Sequence, residues 1–204
     1  MKHKLHNLFN NLKTSEAGAF VVEYALLLPV FTALTFGSLE IGRILMVNAA
    51  LEGAITESTR ISITGNIPDG YATVDEYIRY FVEDSLENVG VDAGVTISMN
   101  VYDSFSAIGA EEPYTDANAD NICNNSEFYT DINDNGQWDA DMGASGTGGE
   151  ENIMVMEIVI DLPYMMADLV NYDDSLILAS STAVRNEPYG GVAWEPSDTV
   201  LMCN

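Results

Sequence analysis

The chain has 204 residues, 47% of them apolar, and carries 32 Asp and Glu against 7 Lys and Arg, a net charge of −25. So acidic a surface repels nucleic acid and anionic lipid headgroups; it suits a hydrated exported domain or a cation ligand. Both histidines, His3 and His6, sit at the extreme N-terminus, so the rest of the chain lacks the commonest general base and zinc ligand, and with no nucleophile elbow or phosphate-binding glycine loop it does not read as an enzyme.

The length predicts one domain plus a membrane segment. Residues 1–18 are short, polar and basic, with Lys2, Lys4 and Lys13. Residues 19–39 are apolar apart from Glu23. As a helix they rise about 32 Å, enough to cross a bilayer core once. Lysines before this segment place the N-terminus in the cytoplasm and the acidic remainder in the periplasm. A secretory signal is cut after its apolar run. Here the distinctive residues come before it: Gly18, then Ala19, then Glu23 five residues after the glycine, with Tyr24 next. This GAFVVEY segment resembles the prepilin cleavage signature, and more narrowly the Gly-xxxx-Glu-Tyr form of the Flp/Tad pilus system. The resemblance implies a prepilin peptidase cutting between Gly18 and Ala19. It also implies that Glu23 meets the new amine of Ala19 on a neighbouring subunit. A carboxylate within a membrane segment is costly and is read first as functional.

Helical periodicity continues through Ile41, Ile44, Leu45, Leu51, Ala54, Ile55, Ser58, Ile61 and Ser62. One helix is predicted from Phe20 to Thr64, apolar all round in its first half and amphipathic over 40–65. Pro29 removes one of its hydrogen bonds. Gly65 and the Pro68-Asp69-Gly70 turn end it. The exported part is then 66–204. Val74, Tyr77, Ile78, Phe81, Val82 and Leu86 predict a second helix over 73–88. Alternation predicts strands at 95–102 and 176–184, and an apolar run predicts one at 153–162. Residues 103–152 form a long acidic, Asx- and Gly-rich loop. The expected class is α+β: a type IV pilin-like helix packed on a small antiparallel sheet.

That loop holds the clearest chemistry. Asp131, Asn133, Asn135, Asp139 and Asp141 stand at relative positions 1, 3, 5, 9 and 11, with Gly136 at 6 and Gln137 at 7. Calcium takes six to eight oxygens, and alternate side chains of a curled loop can supply them. The spacing resembles the start of an EF-hand loop. Met142 stands at position 12 in place of the bidentate glutamate, so Asp139 or Asp141 has to compensate. A weaker second stretch has Asp116, Asn118, Asp120, Ile122, Asn124 and Glu127 in the corresponding places, with Asn121 instead of the glycine. One or two calcium ions are therefore expected; the alternative for each stretch is an Asx-rich turn with no ion. Two cysteines, Cys123 and Cys203, either form one disulfide, as an even pair does in an oxidising compartment, or are two buried thiols.

The segment GAFVVEYALLLPVFTALTFGSLEIGR, the TDINDNGQWDADMG loop with its Gly-rich tract, and Arg185-Asn186-Glu187-Pro188-Tyr189 together resemble the TadE-like family of minor pilins or pseudopilins. The resemblance implies a processed single-pass subunit that assembles with other pilin subunits, contributes to surface adhesion, and is held in the inner membrane or built into a fibre. A membrane-anchored, calcium-binding surface adhesin is the alternative. It accounts for the acidic loop but not for Gly18 through Tyr24.

Overall fold

The computed structural model describes residues 17–91, 94–124, 127–167, 175–188 and 193–203. Most of the basic leader, residues 1–16, and Tyr189 lie outside them. The chain divides into two compact units, Met1–Leu45 and Met46–Asn204.

Helix α1 (Ala17–Thr64) enters both units. In the first unit it is long and apolar enough to cross a membrane, with a mean hydropathy of 1.9. Phe20, Leu26, Leu27, Phe31 and Leu34 are all exposed on it. In the second unit its buried stripe is Val47, Leu51, Ala54, Ile55, Ser58, Ile61 and Ser62. The helical periodicity of the sequence thus marks the packed face from Leu51 onward, whereas Ile41 and Leu45 are exposed. Helix α2 (Val74–Glu87) starts where Thr73 accepts the Glu76 N–H, while Glu76 returns to accept the Ala72 N–H. Such reciprocal capping satisfies donors that a helix start leaves unpaired. It buries Ile78, Val82 and Leu86.

Six strands follow among the described residues: β1 (Val95–Tyr102), β2 (Phe128–Asp131), β3 (Ala144–Ser145), β4 (Ile153–Pro163), β5 (Ser175–Arg185) and β6 (Thr199–Met202). They make two sheets, one of order β3-β1-β4-β5 and a ribbon of β2 with β6. The predicted strands are all present in the larger, antiparallel sheet. The "loop" 103–152 is more ordered than its composition suggests, since it contains a 3-10 turn at Phe105–Ala107, β2 and β3. Strands of two and four residues are too short to show alternation.

One face of the sheet is Met154, Met156, Ile158, Ile160 and Leu162 of β4, all essentially buried, with Met99 and Val101 beside them. Helix α1 packs here through small residues: the Ser62 hydroxyl lies 3.2 Å from the Met154 sulfur. The neighbouring Ser58 hydroxyl is buried and, among the described residues, has no hydrogen-bond partner. A buried hydroxyl without a partner costs about 1–3 kcal/mol, and alanine is the better helix former. Ser58→Ala should therefore leave the melting temperature unchanged or raise it; a clear fall in thermal denaturation would show that the hydroxyl is bonded.

Ala107, Ile108 and Met142 cover part of the opposite face, where Tyr102, Ala107 and Ile153 form a second small core. Gly143 is required here by space. A Cβ on it would stand 2.6 Å from the Tyr102 ring.

Candidate functional site

The two acidic stretches prove to be a tandem repeat. Glu112-Pro-Tyr114-Thr115-Asp116-Ala-Asn118 recurs fifteen residues later as Glu127-Phe-Tyr129-Thr130-Asp131-Ile-Asn133. Each repeat folds into the same loop. In the second, the Asn135 and Gly136 N–H groups donate to the two Asp131 oxygens at 3.1 and 2.8 Å. The Asn135 N–H also donates to Asn133 Oδ1, and the Gln137 N–H to Asn135 Oδ1. In the first, the Asp120 and Asn121 N–H groups donate to Asp116 at 3.2 and 3.0 Å, that of Asp120 also to Asn118 Oδ1, and that of Ile122 to Asp120 Oδ1. Both loops take positive φ at their fourth and sixth positions: Ala119 at 61° and Asn121 at 59°, Asp134 at 59° and Gly136 at 79°. Asparagine thus adopts the turn that glycine provides in the other loop.

The glutamate leading each repeat locks the loop of the other. Glu112 is fully buried. Its Oε1 accepts the Ile132 and Asn133 N–H groups, at 2.7 and 3.4 Å, and its Oε2 accepts that of Asp139 at 3.1 Å. Glu127 does the same for the first loop. It accepts the N–H groups of Ala117, Asn118 and Asn124 at 2.8, 3.4 and 3.2 Å. The second loop, which has Met142 where the first has Glu127, thereby gains a carboxylate from upstream. Burial pushes the Glu112 carboxyl above its ordinary range, and the three backbone N–H groups hold it partly back.

Of the sequence-predicted donors, Asp131, Asn133, Asn135 and Asp139 converge. The Asn133 and Asn135 amides both donate to Asp139 Oδ2, at 3.0 and 2.6 Å. Asp141 is engaged elsewhere. Both of its oxygens accept the Tyr102 hydroxyl, at 2.9 and 2.8 Å. Burial and this contact push the Tyr102 phenol up to about 12. In the first loop the Asn118 and Asn124 amides donate to Asp120 Oδ2, both at 2.9 Å, and Asn118 reaches Asn124. The contact with Asn124, before that with Asn118 and the Ile122 N–H, holds the Asp120 carboxyl below its usual range. Among the described residues no three His, Cys, Asp or Glu side chains gather into a metal-holding group; each loop relies on asparagine amides for part of its oxygen set.

Cys123 and Cys203 form a disulfide, their Cα atoms 5.3 Å apart. It ties the first loop to the strand β6 that pairs with β2 at the start of the second. Cys123 and Trp138 occupy the same, eighth, position of their loops. Both enter one small core with Tyr114, Tyr129 and Leu201, where Tyr114 and Trp138 meet edge to face.

The EF-hand-type spacing does not reach Glu112, which precedes its loop by nineteen residues. The fifteen-residue self-similarity is the signal that finds it. Asn186, in the Arg-Asn-Glu-Pro-Tyr tail, gains a structural role. It is buried, donates to the Thr147 and Gly149 carbonyls at 2.8 and 3.1 Å, and accepts the Ser62 hydroxyl at 3.0 Å. Arg185 reaches the Glu151 carbonyl and carboxylate.

Gly18, Ala19, Glu23 and Tyr24 lie exposed on the first turns of α1. A Cβ at Gly18 would meet nothing within 4 Å. No characterised protein and no solved structure matches the chain significantly. The family model described as TadE-like protein matches residues 18–60. The matched stretch runs from the glycine of the cleavage-type signature through Arg60 and lies wholly within helix α1, which over these residues is similar to TadE-like proteins.

Proposed function

We propose that this chain is a minor pilin or pseudopilin of a Flp/Tad-type pilus. A prepilin peptidase removes residues 1–18. Residues 19–39 hold the mature protein in the inner membrane as a single pass, residues 40–65 continue the helix, and the 66–204 domain is periplasmic or is carried out within the fibre. Other pilin subunits assemble through α1, with Glu23 facing the Ala19 amine of a neighbour, and the assembled protein contributes to surface adhesion. The observation that carries this reading is the TadE-like match over 18–60 on a helix whose N-terminal part, from Phe20 to Leu39, exposes its large apolar residues. The Cys123–Cys203 disulfide supports an oxidising compartment for the domain.

Gly18→Ala should block or strongly slow maturation. Since Gly18 has open space around it, the substitution leaves the fold alone. Intact-mass analysis of protein from membranes should find Ala19 at the N-terminus of the parent and the uncut leader on the variant. A parent that keeps Met1, or that is cut after residue 39, would refute the reading.

A second function is favoured by the duplicated loops: each binds a calcium ion. Asp131, Asn133, Asn135 and Asp139 would hold one, with the main chain at Gln137. Asp116, Asn118, Asp120, Asn124 and the main chain at Ile122 would hold the other. The donor set fits. It consists of hard oxygens, and rotating an asparagine amide turns its oxygen where its nitrogen now lies. An ion bound by the folded state alone stabilises it by about 2.7 kcal/mol at a hundred times its dissociation constant. The full chain should melt higher in calcium than in chelator. Asp131→Ala should remove most of the difference and Asp134→Ala, whose side chain is exposed, little of it. An unchanged melting temperature up to millimolar calcium would leave the loops as Asx turns.

A further inference from the structure

The β2–β6 ribbon carries an apolar outer face. Phe128 stands opposite Met202 and Thr130 opposite Val200, so these four share one side of it. Phe128 is 53% exposed, Val200 and Met202 61% each. Ile122, on the first loop, is exposed as well. Beside this face opens a cavity of about 210 Å³, lined by Cys123, Tyr129, Gln137, Trp138, Met202 and Cys203. Its aromatic wall is formed by Tyr129 and Trp138. Single exposed apolar side chains are ordinary; a contiguous set beside a cavity marks an interaction surface.

Charge decides what fits it. No Lys or Arg occurs between Arg79 and Arg185, or after Arg185. The four arginines of the described chain are each paired with an acid. Glu111, Asp116, Glu127 and Asp120 lie close enough to Tyr114, and Asp131, Glu112 and Asp139 to Tyr129, to help burial push both phenols up. A second copy of this chain would bring the same acids against one another. We infer that the β2–β6 face and its cavity dock a segment of another protein that alternates apolar side chains with Lys or Arg. The apolar groups lie on Phe128, Val200 and Met202. A cationic side chain laid into the cavity rests its stem on Met202 and Trp138 while its head stays in solvent, in the field of the acids around Tyr114 and Tyr129, as long basic side chains do. Contact with the ring face adds a cation–π attraction.

The test uses the full chain in nanodiscs of zwitterionic lipid, with empty nanodiscs subtracted. Trp194→Phe makes Trp138 the sole tryptophan reporter. The probes are three synthetic peptides of equal length, alternating Leu–Lys, Leu–Glu and Ser–Lys. The Leu–Lys peptide should change Trp138 emission and bind at least about tenfold tighter than either control, and its affinity should fall as salt screens the surrounding acids. Phe128→Ser with Met202→Ser, both exposed positions, should weaken it about tenfold, as loss of a central apolar anchor does. Equal binding of Leu–Glu or of Ser–Lys would overturn the proposal, as would indifference to the double substitution. Self-association of the chain that the double substitution abolishes would show that a second copy covers the face, and would overturn it too.

Discussion

Reducing the Cys123–Cys203 disulfide should destabilise the domain by about 4–5 kcal/mol, the chain-entropy value for a loop closed across a separation of 80 residues. In a unit of this size that is a fall in melting temperature of roughly 8–20 °C. The loss should not be uniform. Cys203 directly follows β6, whose main chain is held by β2, and the Cys203 N–H donates to the Glu127 carbonyl at 2.8 Å. Without the covalent tie, β6 is a four-residue strand with one neighbour, and such ribbons are marginal alone. Hydrogen exchange should therefore show Tyr129, Leu201 and the first loop opening ahead of β1, β4 and β5. Non-reducing peptide mapping should recover the two cysteines in one linked pair. If reduction leaves the melting temperature within a degree or two, the bond contributes little and the aromatic core around Trp138 holds the lobe by itself.

Glu112→Ala should be nearly as damaging, by about 3 kcal/mol or more. Hydrogen bonds to a charged group contribute roughly 1.5–3 kcal/mol each, and buried donors left without a partner carry a further cost. Its three donors are the N–H groups of Ile132, Asn133 and Asp139. All three lie in the second repeat, although Glu112 leads the first. Exchange of those three amides should accelerate while Ala117, Asn118 and Asn124 stay protected. Glu127→Ala should give the reverse pattern, with the loss confined to the first loop. Should each substitution instead loosen the loop of its own repeat, the reciprocal arrangement is wrong.

The larger elements were legible in the sequence because each carries a long, regular signal. The two helices have apolar residues at helical spacing, and β1 and β5 alternate. The membrane-type segment and the Gly18, Glu23, Tyr24 signature are local facts, each contained in a short stretch of chain. The convergence of Asp131, Asn133 and Asn135 was legible for the same reason, as their spacing is set by one tight turn. Only the tertiary structure could show what joins distant parts of the chain. Nothing in the sequence states that Cys123 and Cys203 approach to 5.3 Å, since proximity across 80 residues depends on how β2 and β6 pair. The role of Asn186 emerges only where Ser62, Thr147 and Gly149 surround it. Asp141 looks like a loop donor until Tyr102, from a strand 39 residues away, takes both its oxygens. The pattern of one segment fixes its local conformation because its interactions lie within a few residues; the partners of a buried polar group are fixed only when packing brings remote backbone to it.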